Sequence, residues 1–182
     1  MNTRHETGVS RQVVLAGIAG NVMEWYDFAV YGYFAQALGQ HFFPSQDPTA
    51  SVIAAFGVFA AGFLMRPIGG LLFGSIGDRL SRKGALTLSV IAMAVPTCLI
   101  GLLPDYAQIG ITASALMVVF RLVQGLSVGG EYATSVVFLV EGAASGWRRL
   151  MGSWGVFGSV AGILMGSAVG AVITAVLSAE AV

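Results

Sequence analysis

Residues 50–77 read ASVIAAFGVFAAGFLMRPIGGLLFGSIG, an apolar run in which Arg66 is the only charged side chain. A bilayer core about 30 Å thick is crossed by a helix of about 20 predominantly apolar residues. This run exceeds that length, so a helix built from it would tilt or project beyond the membrane. The stretch therefore predicts a transmembrane helix and decides that the chain belongs in a bilayer.

Four further apolar stretches meet the same length requirement, and they surround the first on both sides. They are residues 13–38, 85–103, 109–140 and 150–177. The remaining segments are short, apart from a tail formed by residues 1–12. The sequence therefore predicts an all-α membrane protein with five transmembrane helices in residues 13–182, and it indicates no separate soluble domain.

Composition supports this class and excludes several others. The 182 residues are 56% hydrophobic and 10% charged, and their mean hydropathy is +0.81. Soluble domains carry about 25% charged residues, so a soluble enzyme is excluded. The formal net charge is zero, so no nucleic-acid partner is expected. Cys98 is the only cysteine, so neither a disulfide framework nor a cysteine metal site is expected, and we expect no cofactor.

Basic residues predict how the chain is oriented, because cytoplasmic loops of membrane proteins are enriched in Lys and Arg. The segments at residues 39–49 and 104–108 contain neither residue type. Seven of the nine basic residues lie in the alternate segments, namely Arg4, Arg11, Arg79, Arg82, Lys83, Arg148 and Arg149. The sequence therefore predicts a multi-pass protein of the cytoplasmic (inner) membrane with a cytoplasmic N-terminus.

Two acids lie near the middle of the first stretch. A charge at the centre of a membrane helix costs about 2.5–3.5 kcal/mol on insertion scales, so it is expected to face a bundle interior or an aqueous cavity. Glu24 and Asp27 are three residues apart and share a helix face, and Tyr31 adds a hydroxyl one turn further on. These acids are candidates for proton exchange. The alternative is that each forms a structural ion pair with an arginine of another helix.

The fourth stretch carries a second group of polar candidates. Arg121 lies near its middle, and a guanidinium can bind a carboxylate through two parallel hydrogen bonds. Arg121 is therefore a candidate for holding a substrate carboxylate, or for acting as counter-ion to Glu24 or Asp27. Gln124 is a neighbouring substrate-binding candidate. Glu131 is nearer the predicted cytoplasmic end, which favours a structural or gating role.

Glycines recur at a spacing that is typical of close helix packing in membranes. In the fifth stretch they occupy every fourth position, at Gly158, Gly162, Gly166 and Gly170. We interpret these four as packing residues; spacing alone does not decide whether the packing is static or slides during a transport cycle. Pro67 and Pro96 are expected to kink their helices.

Five segments together resemble the major facilitator superfamily and, within it, the metabolite:proton symporter family of proline/betaine, α-ketoglutarate, citrate and shikimate carriers. The loop motif is GSIGDRLSRK at residues 74–83, and the fourth-helix motif is RLVQG at residues 121–125. The narrower match comes from GNVMEWYDF at residues 20–28, RPIGG at 66–70 and GGEY at 129–132.

The resemblance implies the N-terminal half of a twelve-helix carrier that works by alternating access. Its implied activity is proton-coupled symport of a small organic acid or zwitterion, with protons, a carboxylate-bearing solute, the lipid bilayer and the carrier's second half as partners. The implied gating residues are Asp78 and Arg82, which resemble a cytoplasmic latch, and Glu141, as a partner for Arg79 or Arg82. Ser81 departs from the pattern, which usually has glycine there.

The sequence ends at Val182, after the fifth predicted helix, so we expect this chain alone not to transport. The alternative hypothesis is a truncated, non-transporting membrane subunit that assembles with a second-half polypeptide. An enzyme is not expected, because the sequence has no H-E-x-x-H pair and no phosphate-binding G-x-x-x-x-G-K-[ST] loop. Energy for transport would then come from an ion gradient.

Overall fold

The structure is a computed structural model that describes residues 11–79, 82–141 and 146–176, with side chains described for 18–79, 84–85, 87–129 and 146–176. Every secondary-structure element in these ranges is an α-helix, so the all-α class is confirmed. In chain order the helices are α1 (Arg11–Tyr33), α2 (Ala35–Phe42), α3 (Pro48–Leu64), α4 (Arg66–Arg79), α5 (Arg82–Gly101), α6 (Tyr106–Ile109), α7 (Ile111–Glu141) and α8 (Arg148–Val176). Most of the predicted tail lies outside the described residues.

The second predicted span is divided at Met65 into α3 and α4. Met65 donates its N–H to the carbonyl of Gly62 at 3.1 Å, and Gly69 donates to the carbonyl of Met65 at 2.9 Å. Pro67 therefore falls in the first turn of α4, where its missing N–H removes no helical hydrogen bond. Pro96, in contrast, lies inside α5 without dividing it.

Two other predicted spans contain a break near the end opposite the predicted cytoplasmic side. Phe34 separates α1 from α2, although its N–H still donates to the carbonyl of Val30 at 3.0 Å. Gly110 separates α6 from α7 with a φ of 64°, a left-handed conformation that glycine adopts without a side-chain clash. The side chain of Asp105 caps α6 by accepting from the N–H of Gln108 at 3.0 Å.

Among the residues that the structure describes, three segments are long and apolar enough to cross a membrane by length and composition. They are residues 48–79, 111–129 and 148–176, and a shorter apolar helix covers residues 87–101. The first of these treats α3 and α4 as one continuous segment. The helix α1 carries Glu24 and Asp27 in its middle, and its role as a further span stays a prediction.

The exterior of the bundle is far more apolar than that of a soluble domain. Large apolar side chains cover the exterior, with Leu71 79% exposed and Leu102 80% exposed. The interior combines apolar side chains such as Phe42 and Met117 with polar and charged ones, including Asn21, Glu24 and Arg121. Such an exterior suits lipid, because only the bundle interior can satisfy charged groups in a membrane.

The helix α7 lies at the centre of the bundle and contacts α1, α3, α4, α5 and α8. The most extensive contact between two helices of the described bundle joins α1 to α8, through the glycine face of α8. A Cβ built at Gly166 would lie 2.9 Å from the carbonyl oxygen of Tyr26, and one at Gly170 would lie 2.6 Å from the ring of Tyr33. Gly158 and Gly162 meet α1 in the same way, at residues 18–26. These contacts fix the position of α1, which carries the two buried acids.

Candidate functional site

The centre of the bundle contains an ion pair between α1 and α7. Nη1 of Arg121 donates to Oδ2 of Asp27 at 2.6 Å, and the two side chains are only 7% and 13% exposed. A charged hydrogen bond of this length is short and strong, and removing one partner would leave an uncompensated charge in a low dielectric. Of the two acids considered as partners of Arg121, the structure therefore selects Asp27.

Tyr31 packs its ring against the guanidinium of this pair. The guanidinium carbon of Arg121 lies 3.8 Å from the centre of the Tyr31 ring, which is a cation–π contact. The Tyr31 hydroxyl donates to the carbonyl oxygen of Ala55 at 2.7 Å, and the side chain is fully buried. Tyr31 thus contributes its ring to the site, whereas its hydroxyl ties α1 to α3.

Glu24 forms a second ion pair, with Arg66 at the start of α4. Nη2 of Arg66 lies 3.1 Å from Oε1 of Glu24, a distance that makes the contact an ion pair. The Arg66 guanidinium also lies 4.5 Å from the centre of the Phe28 ring and 3.9 Å from that of Phe63. Glu24 is 1% exposed and Arg66 is 20% exposed, so the acid is the deeply buried member of this pair.

Close backbone contact brings α3 and α4 against α7 where both arginines lie. A Cβ built on Gly125 would overlap the carbonyl oxygen of Gly62, and one built on Gly129 would overlap the carbonyl oxygen of Arg66. These contacts require glycine, because the obstructing atoms belong to the main chain and cannot rotate away. The glycines of α7 thus allow Arg66 and Arg121 to reach the same face of α1.

A chain of hydrogen bonds extends the site from α7 to α5. Nε2 of Gln124 donates to Oγ1 of Thr97 at 2.7 Å, and the Thr97 hydroxyl donates to the carbonyl oxygen of Met93 at 2.9 Å. The single hydroxyl proton of Thr97 is directed to Met93, so Thr97 can only accept from Gln124. The hydrogen bond to Thr97 fixes the orientation of the Gln124 amide, so its Oε1 points away from Thr97.

Two cavities meet at the Asp27–Arg121 pair. The wide cavity has a volume of about 280 Å³. Besides the ion pair, its walls are Val30, Tyr31, Phe34, Leu38, Thr97, Ile100 and Gly101. The narrow cavity has a volume of about 20 Å³, and its polar walls are Asp27, Arg66, Arg121 and Gln124. Both cavities share Asp27 and Arg121, so this pair forms the partition between them, and Glu24 lines neither.

The structure brings four of the predicted site residues together: Asp27, Tyr31, Arg121 and Gln124. Glu24 lies beside them but pairs separately. Asp78 and Arg79 are exposed in the last turn of α4. The gating candidates Arg82, Glu131 and Glu141 lie in helices whose backbone is described, but their side chains lie outside the described residues.

Sequence reasoning missed two contributors to the site. The sequence shows Arg66 as the only charge in an apolar run and assigns it no role. The available signal was Glu24, an acid in another apolar run that needs a basic partner. Thr97 gave no signal, because a threonine in an apolar helix normally bonds its own backbone, as this one also does. The close contacts at Gly62, Gly69, Gly125 and Gly129 were not predicted either, because the break at Met65 disturbs the glycine spacing on one side.

An apolar exterior, a central pair of buried charges and a cavity that reaches them define a multi-pass membrane protein with a polar interior of the carrier type. The family model for sugar (and other) transporters matches residues 13–180. The chain therefore belongs to this transporter family of the major facilitator superfamily. The predicted resemblance to the superfamily is confirmed, and its members are transporters rather than enzymes.

Within this family, the chain is similar to curated transporters whose names include proline and betaine. The chain is 43% identical to the proline/betaine transporter of Salmonella typhimurium, over 96% of this chain and 35% of the relative. It is also 43% identical to the glycine betaine/proline/ectoine/pipecolic acid transporter OusA of Dickeya dadantii, over 97% and 35%. For the proline/betaine transporter of Escherichia coli K12 the values are 42%, 94% and 34%. The chain thus spans about a third of these relatives' length, and no solved structure matches it.

Proposed function

We propose that the chain is the N-terminal part of a proton-coupled symporter for a small carboxylate-bearing zwitterion. Its substrate class is taken from relatives whose names include proline and betaine, both of which carry a carboxylate beside a cationic nitrogen. The carrier would lie in the inner membrane with its N-terminus in the cytoplasm. The second half of the carrier, contributed by further polypeptide, would complete the substrate cavity.

One observation carries the proposal. Oδ2 of Asp27 accepts a hydrogen bond from Nη1 of Arg121 at 2.6 Å, and both residues line a cavity large enough for a small solute. A substrate carboxylate and the Asp27 carboxylate compete for the same guanidinium. Protonation of Asp27 removes its charge and frees Arg121 to bind the solute. Proton and solute therefore bind together, and this linkage is what symport requires.

Asp27 is favoured over Glu24 as the group that exchanges the proton. Asp27 lines both cavities and is 13% exposed, whereas Glu24 lines neither and is 1% exposed. A proton that arrives through water reaches Asp27 first. Glu24, paired with Arg66 under two aromatic rings, is assigned mainly to holding α4 against α1.

The test uses a full-length carrier that contains this chain, reconstituted in liposomes. Asp27→Asn keeps the shape of the side chain but cannot exchange a proton. We expect it to abolish accumulation of glycine betaine or proline driven by a pH gradient, while exchange of labelled solute at equal pH continues. Asp47→Asn, at an exposed helix cap, is the matched control and should behave like the wild type.

Unchanged pH-driven accumulation in Asp27→Asn would remove Asp27 from the coupling role. Absence of solute transport by the wild-type carrier would contradict the proposed function itself.

A further inference from the structure

Some residues that line the narrow cavity carry buried polar atoms with no hydrogen-bond partner among the described residues. Nε of Arg121 and Oε1 of Gln124 are both buried and make no hydrogen bond within the described part of the protein. Their residues are 6% and 3% exposed, and both line this cavity. Leaving a buried polar atom unsatisfied costs about 1–3 kcal/mol, and more when the group is charged. Two residues that line the same small space therefore each carry an unsatisfied buried atom, a donor on Arg121 and an acceptor on Gln124.

The size of the cavity limits what can fill that space. A cavity needs about 10–15 Å³, measured in the same way, to hold a water molecule. The narrow cavity, at about 20 Å³, has room for one. The solute itself, which the wide cavity can accommodate, does not fit.

The chemistry of the walls selects the ligand. A monatomic anion would satisfy Arg121 but would face Oε1 of Gln124 and the Asp27 carboxylate. A cation would face the guanidinium groups of Arg66 and Arg121. Water alone both accepts and donates, so it can accept from Nε of Arg121 and donate to Oε1 of Gln124 at the same time.

We propose that the narrow cavity is a binding site for a single ordered water that bridges Nε of Arg121 to Oε1 of Gln124. Through this water Gln124 is a positioning residue for the guanidinium. The bridge continues through Gln124 and Thr97 to α5, so Arg121 is held from α5 at its Nε while Nη1 binds Asp27. When Nη1 leaves Asp27, the bridge keeps the guanidinium facing the wide cavity.

The water site follows from the geometry alone, whereas the positioning role rests on the proposed function. A positioned hydrogen bond to a charged group contributes enough that its loss is measurable in affinity. Gln124→Leu has nearly the same size but no acceptor for the water. It should therefore weaken binding of the solute carboxylate without removing Arg121.

The first test is an experimental structure of the full-length wild-type carrier at a resolution that shows ordered water. We expect a density peak within hydrogen-bond distance of both Nε of Arg121 and Oε1 of Gln124. An empty cavity, a direct contact between the two side chains, or an ion at this position would overturn the water site. This measurement does not depend on whether the carrier transports glycine betaine.

The second test compares transport kinetics of Gln124→Leu with those of the wild type. We expect the KM for glycine betaine to rise about tenfold or more, as loss of a hydrogen bond to a charged group predicts, while the maximal rate changes little. Ser127→Ala removes another buried hydrogen bond of α7, from Ser127 to the carbonyl of Ser89, away from this cavity. It should leave KM unchanged.

An unchanged KM in Gln124→Leu, or an equal rise in Ser127→Ala, would refute the positioning role. If the wild-type carrier does not transport the solute, the proposed function fails, and the structural test still decides the water site.

Discussion

Each acid of α1 has its own arginine, donated by a different helix. Asp27 pairs with Arg121 of α7, and Glu24 pairs with Arg66 of α4, so the four charges sum to zero inside the bundle. Charges that would each cost about 2.5–3.5 kcal/mol alone in the membrane are thereby compensated. Repulsion between the two acids is offset by these partners, so it does not explain why either acid would exchange a proton. The competition between Asp27 and a solute carboxylate for Arg121 supplies a different reason.

The Glu24–Arg66 pair gives a stability prediction at this scale. Removing one partner of a buried pair leaves an unpaired charge and costs about 3–5 kcal/mol, whereas replacing both costs much less. We expect Glu24→Gln to lower the unfolding temperature in detergent strongly, and Glu24→Gln combined with Arg66→Met to recover most of that loss. Equal loss in the single and double variants would show that the two side chains do not act as a pair.

Sequence reasoning found the charged residues of the site but not how they pair. An ionisable residue in an apolar run is detectable because its cost in a membrane demands an interior position. Which arginine meets which acid depends on the crossing of α1, α4 and α7, and neither spacing nor composition encodes that crossing. Gln124 was found as a polar residue near Arg121, yet its partner Thr97 lies on α5 and could not be inferred.

At the scale of the helices, two seams of main-chain contact hold the bundle together. One joins α8 to α1 through four glycines at regular spacing, and the sequence revealed it because that spacing lies within a single uninterrupted helix. The other joins α3 and α4 to α7 through Gly62, Gly69, Gly125 and Gly129. The break at Met65 disturbs the spacing on one side, so this second seam is harder to read from the sequence.

The second seam predicts a large effect from a small substitution. Gly125→Ala places a methyl group against the carbonyl oxygen of Gly62, and the main chain can relieve the overlap only by moving the helices apart. Overpacking of this kind costs about 1–3 kcal/mol. The free energy of unfolding, measured by denaturant titration in mixed micelles, should fall by that amount.

Gly57→Ala is the matched control, because a Cβ at Gly57 meets nothing within 4 Å. Alanine there should be neutral or should stabilise α3 by up to about 1 kcal/mol through its higher helix propensity. If Gly125→Ala were as well tolerated as Gly57→Ala, the close approach of α7 to α3 would be wrong.

For the whole molecule, the sequence predicted the all-α membrane class from apolar length, and the family match and the apolar exterior agree with it. The positions of the helix breaks were not predicted. The length of an apolar stretch indicates where a chain can cross a membrane, but it does not indicate where the helical hydrogen bonding is interrupted. Orientation rests on the distribution of basic residues alone and remains a prediction.

Labelling of single cysteines tests that orientation. In a Cys98→Ser background, Ser45→Cys lies before α3 and Gly146→Cys lies before α8, and both positions are exposed. We expect a membrane-impermeant maleimide to label Ser45→Cys in intact cells and to label Gly146→Cys only after the membrane is opened. The opposite pattern would place the N-terminus outside and contradict the predicted orientation.

The central claim is that a solute carboxylate replaces Asp27 on Arg121 and that Asp27 then takes up a proton. It is tested most directly by measuring proton uptake when glycine betaine binds to the purified full-length carrier in weakly buffered detergent solution. We expect the wild type to take up protons on binding, and Asp27→Asn to bind the solute without any uptake. Proton uptake of equal size by Asp27→Asn would contradict the claim.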